Sequence, residues 1–65
     1  MNTLALRAVV DPPPEQVVWY VDGRPYMTAE YPFSVRWPLA VGDHTFQARV
    51  PFTELRSRIV GIAVE

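Results

Sequence analysis

The side chains that could carry out acid-base or nucleophilic chemistry are few and scattered. They are His44, Asp22, Asp43, Ser34 and Ser57. A lone histidine works as a general base only beside an oriented nucleophile or a substrate pocket, which a chain of 65 residues hardly encloses. Each of the two aspartates adjoins a glycine, a context typical of tight turns, and neither serine lies in a nucleophile-elbow motif. The sequence therefore predicts no active site, and His44 is interpreted as a turn-flanking residue at the mouth of the core.

Metal and cofactor sites are not indicated either. The chain contains no Cys, which excludes disulfide bonds, thiol catalysis and zinc bound through cysteine. His44 has no carboxylate at metal-ligand spacing, and three isolated glycines do not form a phosphate-binding loop. We therefore expect no catalytic residue, no metal and no cofactor.

Composition narrows the range of partners. Hydrophobic residues make up 49% of the chain, too many for a disordered segment, yet no run approaches the roughly 18 apolar residues of a membrane span. The net charge is -1, there is no Lys, and the arginines are scattered among acidic residues. Because no basic stripe forms, we expect neither a nucleic-acid partner nor direct contact with a membrane.

Residues 1–65 are expected to form a single domain, because no Pro/Gly/Ser-rich or charged linker divides the chain. In so small a domain, apolar burial yields little more free energy than folding costs in conformational entropy. Docking against a larger neighbour would add stability. We therefore expect the chain to be a module of a longer protein.

The dipeptide Asp22-Gly23 predicts a type I′ turn, in which both central residues need a positive φ. It joins the alternating segments 16–21 and 24–28 into a hairpin. Counting outward from the turn pairs Trp19 with Tyr26 and places both rings on the core face.

The opposite face of this hairpin carries four residues without a charged group. They are Val18, Tyr20, Pro25 and Met27. An apolar patch open to solvent is typical of an interface, so these four are predicted to contact the rest of the protein or a partner. The alternative is that the last strand or a loop of the same domain covers them.

The second turn is predicted at Gly42-Asp43, as type II′, between segments 34–41 and 44–51. The register pairs Leu39 with Phe46, Trp37 with Ala48, and Val35 with Val50. One face of this hairpin is then apolar and the other mostly polar. Trp37 is predicted to be a core residue, with stacking on a sugar ring as the alternative for the aromatic side chains.

Further alternating segments at 3–10 and 56–64 add two strands, and the stiff run 11–14 connects the first strand to the first hairpin. Six short strands with no helical period predict an all-β fold. The predicted architecture is a small immunoglobulin-like antiparallel β-sandwich of about six strands. All prolines in strands are expected at sheet edges or bulges.

Two runs also carry a resemblance to a known family: Val-Trp-Tyr-Val-Asp-Gly-Arg at 18–24 and Trp-Pro-Leu-Ala-Val-Gly-Asp-His-Thr-Phe at 37–46. Their order and spacing resemble the C-terminal domain of class A bifunctional penicillin-binding proteins of the 1C type. That family has an aromatic-rich strand ending in Val-Asp-Gly, then a strand with Trp, then Gly-x-His. The matching positions are turns and core aromatics, so no functional residue is carried over.

The resemblance implies a non-catalytic accessory domain of a periplasmic peptidoglycan synthase, with its glycosyltransferase and transpeptidase activities in other domains. Its partners would be those domains or other cell-wall proteins, with glycan as a further candidate. The alternative is a carbohydrate-binding or adhesive immunoglobulin-like module of another secreted bacterial protein.

Overall fold

The computed structural model describes residues 2–65, which form six β-strands and no α-helix. The strands are β1 (Thr3–Leu6), β2 (Gln16–Val21), β3 (Arg24–Glu30), β4 (Val35–Pro38), β5 (Gly42–Arg49) and β6 (Val60–Val64). They pair into two antiparallel sheets, β1-β4 and β3-β2-β5-β6. The prediction of an all-β sandwich with six strands is confirmed. Over the described range there is no helix capable of crossing a membrane.

The core lies between the inner faces of the two sheets. Its buried members are Leu6, Val17, Trp19, Ala29, Phe33, Val35, Trp37, Phe46 and Ala48. The Trp37 and Phe46 rings pack edge to face with centroids 5.1 Å apart, and the Trp19 indole N–H donates to the Phe33 carbonyl over 2.9 Å. Trp37 is 7% exposed, which confirms that it is a core residue.

The Asp22-Gly23 turn is confirmed, because both residues have positive φ values of 54° and 78°. The predicted pairing holds as far as Tyr20 with Pro25. Pro25 lies on β3, which is an edge strand of the larger sheet, as expected for a proline.

Beyond Pro25 the predicted register of this hairpin is wrong. A bulge accommodates Tyr26 as an extra residue, so Trp19 pairs with Met27 instead of Tyr26. The shift places the small apolar Ala29 opposite Val17 in the core, where the predicted register would have placed a threonine. Tyr26 still packs its ring against the core.

The predicted hairpin at Gly42-Asp43 is also wrong. The segment before it, β4, pairs with β1 in the smaller sheet, whereas β5 pairs with β2 and β6 in the larger one. Gly42 is the first residue of β5, opposite Val64, and not part of a hairpin turn. The chain therefore crosses from one sheet to the other between β4 and β5.

The alternation of apolar residues is the same in both arrangements. Val35 and Trp37 of β4 meet Phe46 and Ala48 of β5 across the core, instead of beside them in one sheet. The pattern therefore identifies these four inward side chains without identifying the strand pairs. Leu39, which was predicted on the same apolar face, is 41% exposed and lies outside the core.

Candidate interaction surface

The two sheets differ in width, with two strands facing four. At a strand spacing of about 4.8 Å, the smaller sheet covers roughly half of the larger one. Val60 of β6 is paired with the core residue Phe46 and therefore faces inward, yet it is 52% exposed. The sandwich is open along β6.

A groove with a volume of about 570 Å³ occupies this open side. One set of lining residues is the continuous segment 4–11, which comprises most of β1 and the irregular chain after it. The core contributes Trp19 and Phe46, and β6 contributes Val60 and Ile62. The groove is therefore a gap in the core of the sandwich.

Two strands that are shorter than predicted leave this gap. The first strand was predicted over 3–10 but ends at Leu6, and the last was predicted over 56–64 but begins at Val60. Between residues 49 and 60 the chain forms no strand. Its ladder pairing is limited to an isolated bridge from Arg56 to Arg49, and the Ser57 amide donates to the Ala48 carbonyl over 2.8 Å. No strand of residues 2–65 pairs with the outer edge of β1 or of β6.

The charged side chains that line the groove are mostly cationic. Arg7, Arg56 and Arg58 line it, with Asp11 as its only carboxylate. Among residues 2–65 the only ion pair joins Asp22 and His44, so none of these three arginines is neutralised by a carboxylate. An apolar group that carries negative charge fits the groove.

The predicted contact residues Val18 and Tyr20 lie on the outer face of β2 and are half-buried. The Arg49 guanidinium stacks on the Tyr20 ring at 4.0 Å from its centroid, a cation–π contact. Arg49 also donates to Gln47 over 2.8 Å, and Gln47 donates to the Ser57 carbonyl over 3.0 Å. This polar network flanks the face that the sequence predicted to be an apolar patch.

The bulge in β3 separates one predicted contact residue, Met27, from Val18 and Tyr20, whereas Pro25 pairs with Tyr20 and shares its face. Residues paired across a ladder share a sheet face, so Met27, paired with Trp19, does not share the face of Val18. Met27 is 47% exposed at the sheet edge, and Pro25 is exposed beside it. The four residues do not form one continuous surface, and their contact with a partner stays a prediction.

Asp22 and His44 form a hydrogen-bonded pair that sequence analysis missed. The distance from the Asp22 carboxylate to His44 Nδ1 is 2.8 Å. The Thr45 amide donates to the same carboxylate over 2.9 Å, and the Asp22 amide donates to the Thr45 carbonyl over 2.9 Å. The pair ties the β2-β3 turn to β5.

Hydrogen bonds dominate the electrostatics of this pair. The contact with Asp22 raises the pKa of His44, while the contact with His44, followed by the Thr45 amide, lowers the pKa of Asp22. The imidazole packs edge-on to Trp37, with ring centroids 4.8 Å apart. Only knowledge that β2 and β5 are neighbours would have brought these two residues together, because they lie 22 positions apart.

The remaining candidates for chemistry have structural roles or stand apart. Asp43 pairs with Ala63 within the larger sheet. The Ser57 hydroxyl accepts from the Ala48 amide and donates to the Arg58 carbonyl, both over 3.0 Å. Over residues 2–65, no three His, Cys, Asp or Glu side chains are grouped to hold a metal ion.

The fold and this surface together define a small antiparallel β-sandwich with one open side. A scan of protein-family models, a search of curated proteins and a search of solved structures each find no match to this chain.

Proposed function

We propose that this domain is a non-catalytic interaction module that docks through the open side of its sandwich. The observation that carries the proposal is the groove of about 570 Å³, which reaches the buried rings of Trp19 and Phe46. Its volume is within the range of about 300 to 1,000 Å³ found for ligand sites. A partner seated there would complete the core.

The rim of the groove supports docking. Val9 and Leu55 line it with exposures of 97% and 61%, so apolar side chains face solvent beside an opening into the core. Large apolar patches of this kind mark interaction sites on soluble domains. The one serine that lines the groove, Ser57, has its hydroxyl engaged in structural hydrogen bonds.

The resemblance to the C-terminal domain of 1C-type penicillin-binding proteins gives the proposal a specific form. In that form the module belongs to a periplasmic peptidoglycan synthase and holds it against its own other domains or against a cell-wall protein. The catalytic activities lie in those other domains, and this domain positions the synthase.

Site-specific photo-cross-linking in cells tests the proposal. A photoreactive phenylalanine analogue replaces Val9 in the groove or, as a matched control, Val41, an exposed valine that does not line it. We expect the probe at position 9 to cross-link to a synthase domain or cell-wall protein identified by mass spectrometry. Equal cross-linking at position 41, or none at position 9, would contradict docking through the groove.

Binding to glycan is the second candidate, and the placement of the indoles counts against it. Trp19 and Trp37 are both buried, so neither presents a ring face to a sugar. The exposed aromatics Tyr31 and Phe52 would have to serve instead. Co-sedimentation with purified peptidoglycan distinguishes the candidates, because a docking module stays in the supernatant.

A further inference from the structure

Apart from their short length of four and five residues, the outer edges of β1 and β6 lack the features that normally prevent strands from pairing with other chains. Natural edge strands carry proline, charged residues or bulges. β1 reads Thr-Leu-Ala-Leu and β6 reads Val-Gly-Ile-Ala-Val, with neither a proline nor a charge. Both ladders, β1 with β4 and β5 with β6, run without a bulge. These edges are suited to strand addition.

We propose that the groove takes an extended acidic segment of the partner, which pairs with the outer edge of β1 as a third strand of the smaller sheet. This inference rests on the proposed docking function and specifies its ligand. The ligand class is a peptide with alternating apolar residues and a carboxylate at one or both ends.

The lining of the groove favours an extended chain. Every residue from 4 to 11 contributes, although neighbours on a strand point to opposite faces. The groove therefore follows the backbone of this segment. β1 itself, four residues with a rise of about 3.3 Å each, can pair with the centre of an extended peptide, and the irregular residues 7–11 lengthen the groove beyond the paired stretch.

The width of the opening fits a strand as well. The larger sheet has two more strands than the smaller one, and an added strand takes up about 4.8 Å. Paired with β1, it would lie above β6 and cover the inward side chains Val60 and Ile62. Main-chain hydrogen bonds would supply affinity and alternate side chains specificity, as in other cases of strand addition.

The positive charge of the groove favours an acidic strand over a second copy of this domain. Within the described residues 2–65, Arg7, Arg56 and Arg58 have no ion-pair partner, and an arginine binds a carboxylate through two parallel hydrogen bonds. A second copy pairing through its own β1 would bring another Arg7 to the same edge. An acidic partner strand neutralises this cluster.

The test uses the 65-residue chain and a capped heptapeptide, Glu-Val-Thr-Val-Thr-Val-Glu, in an NMR titration. We expect saturable shifts of the amides of residues 4–11 and 60–62, with cross-strand contacts between peptide and β1 backbones. High salt should weaken binding, because the Debye length falls to about 3 Å at 1 M. Matched control peptides carry Lys in place of Glu, or Pro in place of the central Val.

Protein variants test the arginines. Arg7→Gln combined with Arg58→Gln should weaken binding by about tenfold or more, because charge-assisted hydrogen bonds are lost. Arg24→Gln is the matched control, an exposed arginine on the opposite edge strand, and should leave binding unchanged. All three arginines are exposed, so the variants should fold, which a thermal melt checks.

Three results would overturn the inference. They are no saturable shift with the acidic peptide, equal binding of the Pro peptide, and concentration-dependent dimerisation that shifts the same amides. The two proposals fail separately. If position 9 cross-links to a partner but the peptide fails, docking stands and strand addition does not. If the peptide binds but position 9 does not cross-link, the groove accepts strands in vitro, and docking through it in the cell is contradicted.

Discussion

The β3-β4 side of the sandwich is closed by side chains, whereas the β1-β6 side is open. On the closed side the Tyr26 hydroxyl donates to the Arg36 carbonyl over 2.9 Å and links the two sheets. Pro25 and the bulge beside it protect the outer edge of β3. On the open side neither edge strand has such a feature, and the inward Val60 is 52% exposed.

The difference shows where this small chain closes its core and where it leaves apolar surface exposed. A buried residue in the left-handed conformation lies on the closed side. Phe33 has a φ of 66° and is 1% exposed, and its carbonyl accepts the Trp19 indole N–H. A conformation that costs roughly 1 to 2 kcal/mol is held there by burial and a hydrogen bond.

The largest expected effect is that of Trp37→Ala. The indole is 7% exposed and contacts Phe46 edge to face, so its removal should cost roughly 3 to 5 kcal/mol of unfolding free energy. Urea denaturation of both proteins measures this loss. A variant that keeps wild-type stability would show that the packed rings do not hold the domain together.

Much of this core followed from the sequence, because alternation identifies inward residues regardless of strand partner. Trp19, Trp37 and Phe46 were all predicted to be buried, and all three are at most 7% exposed. The strand partners did not follow. An apolar pair such as Trp37 and Phe46 meets equally well across a core and within a sheet, and only loop geometry distinguishes the two.

The open side and the Asp22–His44 pair could not be predicted for a related reason. Each depends on contacts between segments far apart in the chain, such as 4–11 with β6. The alternation of 3–10 favoured a longer strand, yet pairing stops at Leu6, which lies opposite Val35, the first residue of β4. Arg7 to Val10 are therefore left without a partner strand. Local pattern says nothing about where a partner strand stops.

Gly23→Ala should give the next largest loss, on the order of 1 kcal/mol, because alanine resists the left-handed conformation. Its φ is +78°, and an added Cβ would meet no atom within 4 Å, so the loss reports backbone strain alone. The matched control is Gly61→Ala in β6, where the nearest atom to the new Cβ is the His44 carbonyl oxygen at 3.8 Å. Thermal melts should show the control to be as stable as wild type; equal midpoints for all three proteins would argue against the turn.

The Asp22–His44 pair should make a smaller, pH-dependent contribution to the stability of the fold. Because the pKa of His44 is raised in the folded protein, its contribution to stability is full below pH 6.5 and is lost as the pH rises through the folded-state pKa. The lowered pKa of Asp22 means that its contribution is present above 3.8 and is lost as pH falls through the folded-state pKa. The pair should stabilise the fold most between pH 3.8 and pH 6.5.

Asp22→Asn keeps a residue that tolerates the turn conformation and still accepts from the Thr45 amide, but it removes the charge. Urea midpoints measured across the pH range should therefore decline above 6.5 in the wild type and vary less in the variant. Parallel pH profiles for the two proteins would show that the ion pair does not contribute.

The smallest loss of stability is expected at Val9, on the open side of the sandwich. Val9 lies near the end of the alternating segment 3–10 and is 97% exposed beside the groove. Val9→Ser should therefore change the free energy of unfolding by no more than about 0.5 kcal/mol, as surface substitutions do. Val35→Ser, at a site 7% exposed opposite Leu6, makes a similar chemical change in the core and should destabilise clearly. If Val9→Ser proved as costly as Val35→Ser, residues 7–10 would be packed into the core in solution, and the side described as open would be closed without a partner.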